Sequence, residues 1–188
     1  IKDLTVHYVT VDGTVHAVEN LNLMLPEGKT LGLVGETGAG KTTMIRDLAK
    51  RISNGINEIN FRGLDVSIID ERGEIAAMTK GIIFNDVGIR TDVLDNVPKS
   101  IGIRMAVRSM APKVIIADEI GNKDDVNIIN YAICSGVKCI FTAHGSNMED
   151  LLKNNEINKI INLQLFSKII FLDEKQKGKI KNVVNIQN

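Results

Sequence analysis

The distribution of apolar and polar residues along the chain predicts five buried β-strands. Short, nearly continuous apolar runs are typical of parallel strands that are covered on both faces of a sheet. These runs occupy residues 29–35, 65–70, 113–119, 138–144 and 168–173. Because helical segments separate them, we expect a mostly parallel sheet flanked by helices, which places the chain in the α/β class.

Helices are predicted between these strands, where apolar residues recur at intervals of three or four positions. The first follows the glycine-rich stretch after the first of these strands and ends at Gly55. Two more span residues 98–110 and 122–135. Ser146 and Glu149 have the spacing of a capping box, so we expect a fourth helix to begin there.

An antiparallel hairpin is predicted before this core. Residues 4–8 alternate between apolar and polar side chains, and residues 15–25 form a longer run with partial alternation. Asp12 and Gly13 lie between them, and this dipeptide is a strong signal for a hairpin turn. At the other end of the chain, the residues after position 173 are polar and rich in lysine, and we expect them to form a tail.

Size and composition indicate one globular domain. Of the 188 residues, 44% are hydrophobic and 24% are charged. We interpret residues 1–188 as one domain, with a hairpin region at 1–28 and a nucleotide-binding core at 29–188. The 23 basic and 23 acidic residues give a net charge of zero, so we expect no nucleic-acid partner.

The sequence indicates a protein of the cytoplasm. It contains neither a signal peptide nor an apolar run near the ~18 residues that a membrane helix needs. The two cysteines, Cys134 and Cys139, lack the spacing of a metal site. We therefore expect two buried thiols in a reducing compartment.

The segment GETGAGKT at residues 35–42 matches the phosphate-loop pattern G-x-x-x-x-G-K-[ST]. Its glycines let backbone N–H groups turn toward phosphates, Lys41 would reach the β- and γ-phosphates, and Thr42 would supply an oxygen to Mg²⁺. A chance glycine-rich turn is the alternative, but the motif follows a predicted buried strand and opens a helix. The predicted ATP contacts in this loop are Gly35, Glu36, Thr37, Gly38, Ala39, Gly40, Lys41, Thr42 and Thr43.

Acidic residues follow two of the other predicted strands. Asp118 and Glu119 suit a Mg²⁺ contact and the polarisation of an attacking water, respectively; the alternative is a solvated strand end that caps the next helix. Asp70 and Glu71 could also orient water or metal, because ligands gather at the carboxyl ends of parallel strands. A polar turn explains these two residues equally well.

Polar residues also end the strand at 138–144. Thr142 and His144 could sense the γ-phosphate of a bound nucleotide. Local packing of a histidine at a strand end is the alternative, and the sequence favours neither.

The segment IKDLTVHYVTVDGTVHAVENLNLMLPEGKTLGLVGETGAGKTT resembles the ATP-binding subunit of oligopeptide-type ABC transporters. This resemblance covers residues 1–43 and implies an N-terminal antiparallel β-hairpin of ABC type. It also implies that Tyr8 stacks on adenine, with an ordinary core position as the alternative. The ABC signature LSGGQ does not occur in the sequence, which disfavours a role as an ABC transporter subunit.

From about Lys41 onward the chain resembles the ATPase region of stage III sporulation protein AA. The resemblance rests on GLDVSIIDERGEIAAM, GIRTDVLDNVPKSIGIRM, SMAPKVIIADEIGNKDDV and GVKCIFTAHG. That family is related to secretion-type ATPases, so the resemblance implies a RecA-like P-loop NTPase core. It also implies a possible homo-oligomer and a partner in a membrane complex.

The two resemblances overlap in GAGKTT, and we expect the chain to be a chimera that joins both families there. The expected function is binding of ATP with Mg²⁺, with slow ATP hydrolysis by the isolated chain. A nucleotide-binding module without turnover and a purely structural chimera remain alternatives. Arg72, Arg90 and Arg104 lie in segments that could serve a neighbouring subunit, and the spacing selects none of them.

Overall fold

The computed structural model of the chain describes residues 4–10, 13–21 and 30–186, the first two segments by their backbone alone. The strands are β1 (Leu4–Thr10), β2 (Gly13–Leu21), β3 (Leu31–Val34), β4 (Val66–Asp70), β5 (Met78–Thr79), β6 (Ile82–Ile83), β7 (Thr91–Asp95), β8 (Val114–Ala117), β9 (Lys138–Ala143), β10 (Lys168–Leu172) and β11 (Ile180–Asn185). The helices are α1 (Lys41–Asn54), α2 (Lys99–Ser109), α3 (Lys123–Cys134), α4 (Met148–Lys153) and α5 (Asn155–Asn162), with a short 3-10 turn at Asn57–Ile59.

A seven-stranded sheet organises the chain in the order β11-β10-β3-β9-β8-β4-β7. Every neighbouring pair in it is parallel except β10 and β11, which are antiparallel. All five strands predicted from apolar runs belong to this sheet, so the predicted α/β class with a mostly parallel sheet is confirmed. The carboxyl ends of the parallel strands lie along one edge, where ligands of open α/β sheets bind.

Two hydrophobic clusters cover the two faces of the sheet. On one face, Met44, Ile45 and Leu48 of α1 pack with Ile68 of β4. On the other face, α2, α3 and α5 pack with the neighbouring strand residue Ile69. Successive side chains of a strand point to opposite faces, and both isoleucines are fully buried. Burial on both faces is why β4 reads as a continuous apolar run in the sequence.

The two edge strands of the sheet were not predicted. The tail predicted after residue 173 is wrong in part, because residues 180–185 form β11 against β10. Most side chains of β11 are exposed, so its sequence lacks the apolar run of a central strand. At the other edge, β7 is only half-buried, and its alternation of apolar and polar residues is too short to indicate a strand.

The predicted N-terminal hairpin is confirmed in its backbone. Strands β1 and β2 pair antiparallel, with Thr10 opposite Gly13. They form a two-stranded sheet of their own, and within the described residues they pair with no strand of the seven-stranded sheet.

Two local predictions are corrected by the structure. The helix after β9 begins at Met148, and its cap is Asn147, whose side chain accepts a hydrogen bond from the Asp150 N–H. The predicted Ser146 cap is therefore displaced by one residue. Cys139 is buried as expected, and burial raises the pKa of its thiol to about 12, whereas Cys134 is exposed.

Within the described residues, the structure contains no helix that is long and apolar enough to span a bilayer.

The contact between α2 and β4 predicts an unusual response to a helix-favouring substitution. A Cβ at Gly102 would lie 2.6 Å from Cγ2 of Ile69, which is fully buried. We expect Gly102→Ala to destabilise the protein by roughly 1–3 kcal/mol, because overpacking outweighs the ~1 kcal/mol gain in helix propensity. Urea unfolding measures this, with Ser109→Ala at the exposed end of α2 as the control. A stabilised Gly102→Ala variant would contradict the packing.

Candidate active site

The predicted phosphate loop connects β3 to α1 at the carboxyl edge of the sheet. The Ala39 N–H donates to the Glu36 carbonyl at 3.1 Å and closes a turn. Gly38 and Gly40 have φ values of 81° and 92°, a left-handed conformation that disfavours any side chain. Gly40 precedes α1 without a side-chain cap, and no acidic residue lies in the first turn. The loop thus leaves the amides at the start of α1 open to an anion.

Lys41 directs its ammonium group back over the loop. Its Nζ donates to the carbonyl oxygens of Gly35 and Glu36, at 2.6 and 3.0 Å. Burial lowers the pKa of Lys41 from its ordinary value, and the nearby carboxylates of Asp118 and Glu119 act in the opposite direction. A group that binds here and carries negative charge would favour the charged lysine.

The loop lies at the base of a cavity of about 400 Å³. The cavity joins residues that are far apart in sequence, because β8 and β9 end beside β3. Its lining residues are Thr37, Gly38, Gly40, Lys41, Thr42, Thr43, Arg72, Glu74, Asp118, Glu119, His144 and Lys177. The structure therefore brings the predicted residues Asp118, Glu119 and His144 to the predicted loop, together with Thr42.

A buried threonine orders the two acidic residues after β8. The Thr142 hydroxyl donates to Oδ1 of Asp118, and its oxygen accepts a hydrogen bond from the Glu119 N–H at 2.8 Å. Glu119 has a φ of 40°, which is uncommon for a residue with a side chain and concentrates at functional sites. Thr142 is fully buried, so its hydroxyl acts on Asp118 and the Glu119 backbone.

Two side-chain contacts involve residues that line the cavity. Arg72 pairs through Nη1 with the Glu119 carboxylate. His144 lies beside the loop, with Nε2 at 3.1 Å from Oε2 of Glu36. Both pairs are partly exposed, so each contributes little to stability and can exchange partners.

Glu71 faces a neighbouring cavity. Its Oε2 accepts a hydrogen bond from Nζ of Lys99 at 2.8 Å, and Lys99 is only 8% exposed. This second cavity, of about 700 Å³, shares Arg72, Glu119 and His144 with the first. Glu71 is thus close to the predicted site, but it does not line the cavity that contains the loop.

Asp70 is a structural anchor of the turn that carries Arg72. Its buried carboxylate accepts hydrogen bonds from the N–H groups of Glu74, Ile75 and Ala76, at 2.8–3.2 Å. Arg46 holds the same turn by donating to the carbonyls of Glu74 and Ile75, at 2.8 and 2.7 Å. The polar-turn interpretation therefore describes Asp70, which satisfies backbone groups rather than facing the cavity.

The three candidate arginines lie in different places. Arg90 donates to the Ser53 carbonyl at 2.8 Å. Arg104 lies 5.4 Å from the ring centroid of Tyr131, a cation–π contact between α2 and α3. Only Arg72 of these three lines the cavity that contains the loop.

The residues present fit a phosphate ligand and Mg²⁺. Mg²⁺ is usually bound by one or two carboxylates together with substrate phosphates and water. In this site the Asp118 carboxylate and a threonine hydroxyl can supply the protein ligands. Within the described part of the chain, no three His, Cys, Asp or Glu residues form a cluster that could hold a metal by themselves. A magnesium ion here would therefore depend on the oxygens of a bound nucleotide.

Tyr8 and Lys177 are the two remaining residues to place. The side chain of Tyr8 lies outside the described residues, although its backbone pairs with Val15 in the hairpin. Lys177 lines the loop cavity and was not predicted. It follows β10 in a polar segment, and no sequence signal distinguishes it from the lysines around it.

The fold is that of a P-loop nucleoside triphosphatase. It is similar to the dimeric ATP-binding cassette MJ0796 bound to ADP and Pi, with a TM-score of 0.55 and 16% identity over 100% of this chain and 98% of that chain. It is also similar to the Legionella pneumophila ATPase DotB, with a TM-score of 0.52 and 18% identity over 78% of this chain and 41% of that chain. Identities this low establish the fold alone.

The chain belongs to the family described as sporulation stage III, protein AA, which matches residues 11–188. It is 38% identical to stage III sporulation protein AA of Bacillus subtilis over 146 residues, 78% of this chain and 47% of that protein. The chain thus spans about half the length of this relative. It is also 44% identical over 66 residues to the oligopeptide transport ATP-binding protein OppF of Bacillus subtilis, 35% of this chain and 22% of that protein.

These comparisons confirm both resemblances that the sequence indicated. The family match begins at residue 11, so it includes β2 of the hairpin as well as the core, but not β1.

The anchoring of Asp70 predicts a large loss of stability on a nearly isosteric change. In Asp70→Asn, an amide group would replace an acceptor that faces backbone donors. We expect the free energy of unfolding to fall by roughly 2 kcal/mol or more, because a hydrogen bond to a charged group contributes ~1.5–3 kcal/mol. Chemical denaturation checks this, with the exposed Asp92→Asn as the matched control. Equal stability of the two variants would show that Asp70 does not anchor the turn.

Proposed function

We propose that the chain binds ATP with Mg²⁺ and hydrolyses it slowly. The observation that carries this proposal is the cavity that joins the glycine-rich loop and Lys41 with Thr42 and Asp118. Membership of the sporulation family and the P-loop fold support nucleotide binding in general. The identity of the nucleotide and its hydrolysis are proposed from the residues of the site.

The loop and Lys41 would bind the β- and γ-phosphates. The amides at the start of α1 have no side-chain cap, and the helix directs its positive end toward the cavity. Lys41 is already held over the loop by two carbonyl oxygens. Its ammonium group would exchange these weak acceptors for phosphate oxygens, which form stronger charge-assisted hydrogen bonds.

Thr42 and Asp118 would hold the magnesium ion. Thr142 already fixes Oδ1 of Asp118, so the carboxylate is oriented before any ligand binds. The chemistry that magnesium would supply here is positive charge that neutralises part of the charge of the nucleotide phosphates. The protein contributes the hydroxyl, the oriented carboxylate and the rigid strand that carries it.

Glu119 is the favoured residue for positioning the attacking water. It lines the loop cavity directly after Asp118, whereas Glu71 lines the neighbouring cavity and is paired with the buried Lys99. Glu119 would have to release Arg72 to accept a proton or orient water. Arg72 would then be free to contact the γ-phosphate. A single rearrangement, the breaking of this ion pair, would therefore release both residues for catalysis. Glu71 is the alternative and requires the loss of its bond to Lys99.

Slow turnover is expected of the isolated chain, because phosphoryl transfer depends on cationic groups around the γ-phosphate and a second subunit would supply one of them. An arginine supplied by a second subunit can contribute about 10³–10⁵ in rate. We propose that the protein acts as a homo-oligomer in the cytoplasm and in contact with a membrane complex. The dimeric form of the similar cassette MJ0796 and the family resemblance support this. We also propose that residues 1–188 form a single domain and that Tyr8 stacks on the adenine of the nucleotide.

A nucleotide-binding module without turnover is the second candidate. The pair between Glu119 and Arg72 favours it, because the carboxylate is engaged in this conformation. Tight binding of ATP with no release of phosphate would identify such a module.

We also propose that the chain joins two ancestral segments at the phosphate loop. The short, high identity to OppF and the longer identity to the sporulation protein support a junction. Common ancestry of both sides is the competing explanation, since the family match crosses residue 41. Separate phylogenetic trees of residues 1–43 and of residues 41–188 test this proposal. If the two segments group with different families, the junction is supported; if both trees have the same branching order, it is contradicted.

ATP binding should depend on Lys41. We expect Lys41→Ala to weaken ATP binding at least tenfold, about 1.4 kcal/mol, because its ammonium is the cation of the loop. Isothermal titration calorimetry with ATP and Mg²⁺ measures the change. Lys50→Ala is the matched control, since Lys50 is also on α1 but pairs with Asp86 at 2.7 Å. Unchanged affinity in Lys41→Ala would exclude the phosphate-loop assignment.

Hydrolysis should depend on Glu119 more than on Glu71. We expect the wild-type protein, as a demonstrated monomer, to release phosphate more slowly than about 1 s⁻¹, where typical kinase-like rates begin. Glu119→Gln should abolish this rate and retain ATP binding, because the amide cannot accept the proton. Glu71→Gln should keep most of the rate. If Glu71→Gln abolishes turnover and Glu119→Gln does not, the two roles are reversed.

A further inference from the structure

The turn between β10 and β11 lies directly against the phosphate loop. The Gly178 N–H donates to the Ala39 carbonyl at 2.8 Å. A Cβ at Gly40 would lie 3.1 Å from the Gly178 nitrogen and 3.3 Å from its Cα. The two backbones are therefore in contact, and the turn forms one wall of the site.

The turn has a fixed shape of its own. Oδ1 of Asp173 accepts hydrogen bonds from the N–H groups of Lys175 and Gln176, both at 2.8 Å. The Lys179 N–H donates to the Gln176 carbonyl at 3.1 Å, and the Asp173 N–H donates to the Lys179 carbonyl at 2.7 Å. These bonds fix the backbone of Lys177 beside the loop.

Lys177 supplies an uncommitted cation to the cavity. Its side chain is exposed and lines the same 400 Å³ space as Lys41 and Thr42. Arg72 is paired with Glu119, and Lys41 is held by carbonyl oxygens. Within the described residues, the structure gives Lys177 no ion pair.

The strand order separates Lys177 from the acidic residues. Strand β3 lies between β9 and β10, so the residues after β8 and β9 flank the loop on one side. The turn after β10 flanks it on the other side. Thr42 and Asp118 would hold a metal that neutralises the terminal phosphates, so those phosphates would lie toward Asp118. The α-phosphate and the nucleoside would then extend toward the other side of the loop, where Lys177 lines the cavity.

We infer that Lys177 is a second phosphate-binding lysine, which contacts the α-phosphate of nucleoside di- and triphosphates. This inference rests on the proposed nucleotide site. The α-phosphate is present in both ATP and ADP, so Lys177 stabilises both complexes to the same extent. Lys41 contacts the β- and γ-phosphates, so its removal weakens ATP binding more than ADP binding.

The test is calorimetric titration of ATP and of ADP, each with Mg²⁺, into the wild-type protein and three variants. The Lys177→Ala variant should bind both nucleotides about fivefold more weakly. This is the upper end of the contribution that an exposed ion pair makes. Lys177→Arg should retain most of the affinity. Lys175→Ala is the control, because Lys175 is in the same turn and does not line the cavity.

The possible outcomes separate the two proposals. Parallel losses in Lys177→Ala, with an unchanged melting temperature in the absence of nucleotide, support the inference. Wild-type affinity in Lys177→Ala, together with a loss in Lys41→Ala, overturns it and leaves the nucleotide site intact. A loss for ATP alone overturns the assignment to the α-phosphate. A wild-type protein that binds neither nucleotide overturns the proposed function itself.

Discussion

The parallel pairing of β3 with both β9 and β10 is the constraint on which the candidate site depends. Val34, the last residue of β3, is opposite Ala143 on one side and Phe171 on the other. The three strands therefore end at one level, and the loops that follow them meet. A slip of one residue would turn the buried side chains of β3 to the wrong faces, so the hydrophobic clusters on both faces fix this register.

Polar groups at this edge stabilise one another before any ligand binds. Thr142 is buried and holds Asp118 and the backbone of Glu119, and this support offsets the ~1–3 kcal/mol that a left-handed residue with a side chain costs. Asp70 organises the turn that carries Arg72 in the same way. Thr142 and Asp70 are buried and hydrogen-bonded within the protein, whereas Arg72 and Glu119 at the cavity are exposed and can exchange partners. This difference suits a site that binds a highly charged ligand without unfolding.

The sequence predicted the central strands, the phosphate loop and its helix, because a buried apolar run and a glycine-rich consensus each have a strong local signal. It also predicted that Asp118 and Glu119 lie near the loop, since parallel strands end at one edge. It could not separate the roles of Asp70 and Glu71, which are adjacent in sequence and differ only in their partners. The partners of Asp70 are backbone N–H groups of the turn that follows it, whereas the partner of Glu71 is Lys99, which is distant in sequence, and no sequence pattern indicated either. Lys177 was missed because it lies in a polar turn, and the edge strand β11 that follows this turn lacks the apolar run of a buried strand.

The contact between Gly178 and the phosphate loop has a mechanical consequence. Strand β11 is joined to β10 along its length and is mostly exposed, so little of the core restrains it. Its first residues follow directly on the turn that is bonded to Ala39. A displacement of β11 at the outer edge of the sheet would therefore reach the phosphate loop through this turn and its hydrogen bond to Ala39. The exposed edge strand and the loop are in this way mechanically coupled.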